Sequence, residues 1–327
     1  MRVVITGAAG FIGYHLARQL ADQEKEVILC DNLLRGQADD QFAALIRRPN
    51  VTFVNIDLTD RQSLSELDGH VDLIYHLAAI NGTRHFYEIP HQVLRNNLLC
   101  SINVLDWLSS GRGAKMVWTS SSEVYAGTVA LGKAPVPTPE AVAIAIDDIA
   151  NPRFSYAASK IAGESLCLNY ASAYGLPIAI VRPHNVYGPR MGNDHVIAQF
   201  TTRMLERKDP FPIYGGEQTR AFCFIADLVQ GLQLVGESRR ADGQTINLGN
   251  DQEEVRIADL AHKLFALAGF QPRVENLPAP EGSVTRRCPD ITKARELLGF
   301  RPQVDLEIGL RKTYEWYSTH QQARGDV

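Results

Sequence analysis

The heptad GAAGFIG at residues 7–13 directly follows the apolar run RVVIT and opens the amphipathic stretch FIGYHLARQLADQ. Gly7 suits a tight turn out of a strand, and Gly10 lets the backbone approach a pyrophosphate. Gly13 lets a helix lie close against that strand. The amides at the start of the helix, where Phe11 and Ile12 stand, attract anionic phosphates. Asp31 closes the second apolar run, EVILC, and is followed by Asn32. Its carboxylate can accept both hydroxyls of a nucleotide ribose and repels a 2′-phosphate, which favours NAD over NADP. Arg35 close by keeps NADP open. A strand, a glycine turn, a helix and an acidic strand end in this order predict a dinucleotide-binding unit.

The rest of the first two-thirds repeats the pattern. VTFVNI, VDLIYHL, AKMVWTS and PIAIVR are short, β-rich and bounded by Gly, Asp or Asn, and helical stretches such as VLRNNLLCSINVLDWLSS lie between strands. Near-continuous apolar strands separated by helices predict an α/β fold, a Rossmann-like doubly wound parallel sheet. After about residue 184 Pro and Gly become frequent, and the elements shorten. Residues 1–189, with a return at roughly 222–250, are expected to form the NAD-binding domain. Residues 190–221 and 251–327 are expected to form a smaller, interleaved C-terminal lobe.

Composition narrows the function. A chain of 327 residues with net charge -4 gives no electrostatic reason to expect a nucleic acid or an anionic membrane as partner. No apolar run approaches the ~20 residues of a membrane span, and no leader-like segment stands at the N-terminus, so a cytoplasmic location is expected. The 5 cysteines are scattered without CxxC spacing, which predicts reduced, mostly buried thiols and no metal site. Cys223, in the alternating run FCFI, is read as buried.

Tyr156-Ala-Ala-Ser-Lys160 places a phenol and an ammonium one helical turn apart on one face. A neighbouring ammonium favours the phenolate, lowering a pKa that starts near ~10, and makes Tyr156 a candidate proton acceptor. Upstream, SSSEVY (residues 120–125) ends the fifth strand with a cluster of hydroxyls and a carboxylate.

The GxxGxxG spacing, SSSEVY, YAASK and RPHNVYGPR (residues 182–190) together resemble the extended branch of the short-chain dehydrogenase/reductase family, the NAD-dependent epimerases and dehydratases of nucleotide-diphosphate sugars. The resemblance covers essentially the whole chain. It implies that Asp57 and Leu58 hold the adenine, that Leu77, Ala78 and Ala79 lie along the cofactor, and that Asn97 and Pro183 also belong to the cofactor site. Ser121 would share the reacting sugar oxygen with Tyr156, and Lys160 would also bond the nicotinamide ribose. Asn185 and Arg220 would contact the diphosphate and Arg287 the nucleotide; His195 and Thr83 would face the substrate. A homodimer through a four-helix bundle is a further implication.

The family's enzymes share oxidation at the sugar C4 and then diverge. Dehydratases typically carry Asp-Glu after the catalytic hydroxyl; here Ser122 takes the Asp position, which argues against 4,6-dehydration. Ser122 and Glu123 are nonetheless candidate catalytic residues. Glu123 is compatible with decarboxylases, which resemble this chain in Ser-Glu-Val-Tyr, and with 3,5-epimerases, whose loop AAINGTRHFYEIP also resembles. The expected activity is epimerisation of a nucleotide-diphosphate sugar, at C4, through a transient 4-keto sugar. Decarboxylation of a nucleotide uronic acid and 3,5-epimerisation or 4,6-dehydration are the alternatives. A non-catalytic NAD(P)-binding sensor is the reading from outside the class.

Overall fold

A computed structural model describes residues 1–322 apart from 68, 112, 113 and 281. Residues 281 and 323–327 of the expected C-terminal lobe therefore lie outside the described residues. Seven strands form one sheet: β1 (Arg2–Thr6), β2 (Glu26–Asp31), β3 (Val51–Asn55), β4 (Leu73–His76), β5 (Lys115–Thr119), β6 (Ile178–Pro183) and β7 (Thr245–Leu248). Their order is β7-β6-β5-β4-β1-β2-β3 and every pair is parallel. The expected doubly wound sheet is therefore present, and TINL supplies its seventh strand.

Side chains alternate between the two faces, as strand geometry requires. Val3, Ile5, Val27, Leu29, Tyr75, Val117 and Val181 enter one core, and there meet Leu16 and Leu20 of helix α1 (Phe11–Asp22). Val4, Ile28, Ile74, Met116, Trp118 and Ile180 enter the other, against helices α2 (Pro90–Ser109) and α3 (Ser155–Tyr174). A fourth helix, α4 (Ile225–Glu237), covers the first face beside α1. Burial on both faces explains why the strands read as continuous apolar runs.

The glycine turn has no spare room. Gly7 adopts φ 68°, and a Cβ there would sit 2.8 Å from the Ala78 amide nitrogen; a Cβ on Gly13 would come within 2.3 Å of the Gly7 carbonyl. The part of the chain expected as the smaller lobe contributes helices Val196–Leu205, Ile257–Ala268, Thr292–Leu298 and Leu306–Gln322 and short strands, and its apolar side chains join the same core as the first face of the sheet. Two local expectations change. FCFI divides into a two-residue strand, Cys223–Phe224, and the first turn of α4, and the Gly- and aromatic-rich stretch after β4 contains a helix, Thr83–Glu88. The Cys223 thiol is buried, as are those of Cys30, Cys167 and Cys288, while Cys100 is half-buried.

Arg190, at the end of RPHNVYGPR, ties the segment entering the lobe to the nucleotide loops. It is 1% exposed and has left-handed backbone (φ 68°), a conformation few non-glycine residues adopt. Its guanidinium pairs with Asp39 at 2.8 Å, donates to the carbonyls of Ala9 (3.2 Å) and Gln37 (2.6 Å), and lies over the Tyr14 ring. Arg190→Met would strand these acceptors, with an expected cost of roughly 2–4 kcal/mol. Urea denaturation reads that loss, and calorimetric titration of NAD should show weakened binding in parallel.

Candidate functional site

The carboxyl ends of the parallel strands open into a cavity of about 430 Å³. Its walls carry the glycine turn, Asp31, Asn32, Asp57, Leu58, Leu77, Ala78, Ala79, Asn97 and Pro183, so every residue expected at the cofactor borders one space. The Asp31 carboxylate accepts from the amides of Ala9 (3.0 Å) and Leu33 (2.8 Å), which aims it into the cleft. Burial pushes its pKa up, against those amide bonds. Asp57 accepts from Thr59, and Asn103 fixes the Leu58 carbonyl at 2.8 Å. Asn97 lines the cavity and is also a brace. Its amide is spent on the backbone of Ile80 (2.7 and 3.2 Å) and on Ser159, so it braces the cavity wall to α3. Arg35 turns towards the lobe and pairs with Asp194 at 3.7 Å. The close-approach glycines and the acidic end of β2 fit a dinucleotide.

Beyond the nucleotide end lie Ser121, Ser122, Glu123, Tyr156 and Lys160, all on the same cavity. Ser121 caps the 3₁₀ turn Ser122–Tyr125, accepting from the Glu123 amide at 3.1 Å. Burial pushes the Tyr156 phenol well above its ordinary value, while hydrogen bonding with Ser121 pulls it down. Lys160 makes no direct hydrogen bond to the phenol but lies within electrostatic reach of it. Its ammonium sits 5.7 Å from the Tyr156 ring centre and donates to the Thr119 carbonyl at 2.7 Å. Burial lowers Lys160 to about 8, so its charge is lost as pH rises through that value.

A second cavity, of about 290 Å³, adjoins the first, and the two share Thr83, Asn185, Asp194 and His195. Asn185 has positive φ (41°) and bonds the Ala221 carbonyl at 2.8 Å, while His195 holds the N-cap position of helix Val196–Leu205. Burial lowers the His195 pKa, favouring a neutral ring. Arg220 lines the second cavity and Arg287 the first. Burial first, and the nearby Arg287 cation second, lower Arg220 to about 9.

Glu123 lines the first cavity, where it meets several cations. One oxygen accepts from Arg287 at 2.7 Å, and the other faces Arg153 at 3.5 Å. Burial opposes its charge, but Arg287, Arg153 and Arg220 together hold it down at about 2. Three guanidiniums thus surround one carboxylate, leaving positive potential for an anionic ligand.

Sequence reading missed two neighbours of this site. Arg153 stands three residues before Tyr156, inside a long loop whose shape spacing does not reveal; it also donates to the Gly282 carbonyl at 2.8 Å. Phe86 stacks on the Tyr156 ring (centroids 5.2 Å, 14° between planes). Only the aromatic richness of its segment hinted at that contact.

Residues 3–249 match the NAD dependent epimerase/dehydratase family. The chain belongs to this family, and its cofactor is NAD. It is 32% identical over 327 residues to UDP-N-acetyl-alpha-D-glucosaminuronate decarboxylase of Bacillus cytotoxicus, covering 97% of each chain. It is 34% identical over 315 residues to UDP-glucuronic acid decarboxylase 5 of Arabidopsis thaliana, covering 95% of this chain and 87% of that one. The structure of UDP-glucuronic acid 4-epimerase from Bacillus cereus, in complex with UDP-glucuronic acid and NAD, matches with a TM-score of 0.86 at 28% identity, covering 98% and 100% of the two chains. The family's enzymes include nucleotide-sugar epimerases, decarboxylases and dehydratases.

Glu123 has a measurable signature. Its depressed folded pKa contributes stability that is complete above the ordinary carboxylate value of 4.5 and is lost as pH falls towards about 2. Glu123→Gln should therefore cost on the order of 2 kcal/mol at pH 7, and the difference from wild type should shrink below about pH 4.5. Urea denaturation across that range measures it.

Proposed function

We propose that the chain is an NAD-dependent decarboxylase of a nucleoside-diphosphate uronic acid. The observation that carries this reading is the cluster of Arg153, Arg220 and Arg287 around the Glu123 carboxylate. The diphosphate of a nucleotide sugar balances that excess of positive charge, and a sugar carboxylate would compete with Glu123 for one of the guanidiniums. Arg287, which donates to Glu123, is the guanidinium that such a carboxylate would share in this reading. The decarboxylase relatives favour the same chemistry. On sequence alone C4 epimerisation comes first; the arginine cluster moves decarboxylation ahead of it.

Bound NAD supplies reversible hydride acceptance at the sugar C4. Ser121 and Tyr156 hold the C4 oxygen, with Tyr156 taking its proton, and Lys160 orients the sugar-facing end of the cofactor site. A C4 ketone next to the C5 carboxylate makes the sugar a β-keto acid. Its C5–C6 bond breaks, carbon dioxide leaves, and the electron pair becomes an enolate spread onto the C4 oxygen. Hydrogen bonds from Ser121 and Tyr156 stabilise that charge. A proton then enters at C5; with the hydride restored to C4 and the proton returned from Tyr156 to the C4 oxygen, the net change is carboxylate replaced by hydrogen, and the cofactor ends oxidised as it began. Asn185, Arg220 and His195 serve the diphosphate and sugar, while Thr83 lines the passage between the cavities.

The second reading, C4 epimerisation of the same anionic sugars, has one observation in its favour. Held at about 2, Glu123 is a carboxylate and no proton donor while Arg287 is bound to it, and epimerisation needs no proton at C5. Incubation with NAD and UDP-glucuronic acid or its N-acetylated analogue, followed by mass spectrometry, separates the two. Loss of carbon dioxide supports decarboxylation; an unchanged mass with an altered sugar NMR spectrum replaces it with epimerisation. Arg287→Met should reduce turnover of uronic substrates about a hundred-fold or more, while Tyr156→Phe should abolish it.

A further inference from the structure

Behind the site, a bidentate ion pair is buried where the proposed chemistry makes no use of it. Arg182, on β6, donates to Glu164, on α3, through Nε at 2.8 Å and Nη2 at 2.5 Å. Glu164 is 8% exposed and Arg182 is 5% exposed. Burying such a pair gains little stability over apolar packing, so its position calls for another reason.

The pair touches the site from two sides. Glu164 also accepts from the Ser120 hydroxyl, and Lys160, one turn earlier on α3, donates to the Thr119 carbonyl at 2.7 Å. These two rungs bolt α3 to the end of β5, immediately before Ser121. They fix the rotation of α3 over the strand, and with it the approach of Tyr156 to Ser121. On the other side, Arg182 Nη1 donates to the Tyr125 hydroxyl at 2.6 Å, and Tyr125 donates to Asn247 at 2.8 Å. Asn247 in turn donates to the Asp290 carbonyl at 3.1 Å, just beyond Arg287. The chain of bonds therefore runs from the catalytic helix to the segment carrying the substrate-facing arginine.

We infer that Glu164 and Arg182 are positioning residues, which hold Ser121, Tyr156 and Lys160 in register with one another and with the Arg287 segment. The inference rests on the oxidation at C4 in the reading above, whatever step follows it. Glu164 has an electrostatic part as well. The titratable groups facing Lys160 are Tyr156, His76, Cys100, Cys167 and Glu164. In the unliganded protein burial keeps the phenol, both thiols and the imidazole neutral, which leaves Glu164 as the charge sustaining the ammonium among the described residues.

Four variants test this: Ser120→Ala, Glu164→Gln, Arg182→Met and Arg182→Lys. Ser120→Ala removes one rung and should lower kcat about ten-fold, with KM, NAD affinity and Tm near wild type. Glu164→Gln should lower kcat about a hundred-fold and move the alkaline limb of the pH profile to lower pH. In NAD-free protein, the pH dependence of Lys160 acylation, mapped by mass spectrometry, should move the same way. Arg182→Lys should restore part of the kcat lost in Arg182→Met. If Ser120→Ala and Glu164→Gln alter Tm alone, with kcat and both pH profiles as in wild type, the inference is overturned. Should Glu164→Gln fail to fold, an unchanged kcat in Ser120→Ala overturns it equally. A wild-type protein inert towards every nucleotide sugar would refute the proposed function, while the acylation profile would still judge the pair.

Discussion

All seven sheet strands run in one direction, and this parallelism is the constraint on which the molecule depends. Parallel strands need crossovers, so helices cover both faces and the strands must be apolar throughout. The carboxyl ends consequently meet along one edge, where ligands settle in folds of this kind. The glycine turn after β1, the acid ending β2, the alanines after β4 and the serines after β5 are far apart in sequence and border one cavity.

The parts legible in the sequence were those with short-range physical causes. Alternating burial on the strands, the tight glycine turn and the one-turn spacing of Tyr156 and Lys160 are local properties, and each has its counterpart in the structure. Less legible was anything set by one side chain choosing among distant partners. Spacing places Lys160 beside Tyr156, but its ammonium turns to the Thr119 carbonyl across the packed face of α3. Asn97 is visible as a polar residue in an apolar helix, yet its amide closes on Ile80 and Ser159. Arg153 and Phe86 reach the site from segments whose path depends on the finished fold.

Glu123 shows how a single residue shifts meaning with its surroundings. In the sequence it is a carboxylate after a hydroxyl cluster, open to acid, base or bystander readings. In the structure it is ionised because cations outnumber it, which removes the free-acid reading for the unliganded protein. The same excess of cations that silences it as an acid leaves positive potential in the cavity for an anionic ligand.

The return of the chain to the sheet at β7 has a mechanical consequence. A lobe joined through one linker can swing as a body, but here the backbone passes between sheet and lobe repeatedly, and Arg190 and Asn247 stitch the crossings together. Such a connection resists hinge motion. At the rim of the cavities Arg153 donates to the Gly282 carbonyl and Arg220 to those of Val284 and Thr285, so the arginines beside Glu123 are themselves tied to the lobe's backbone.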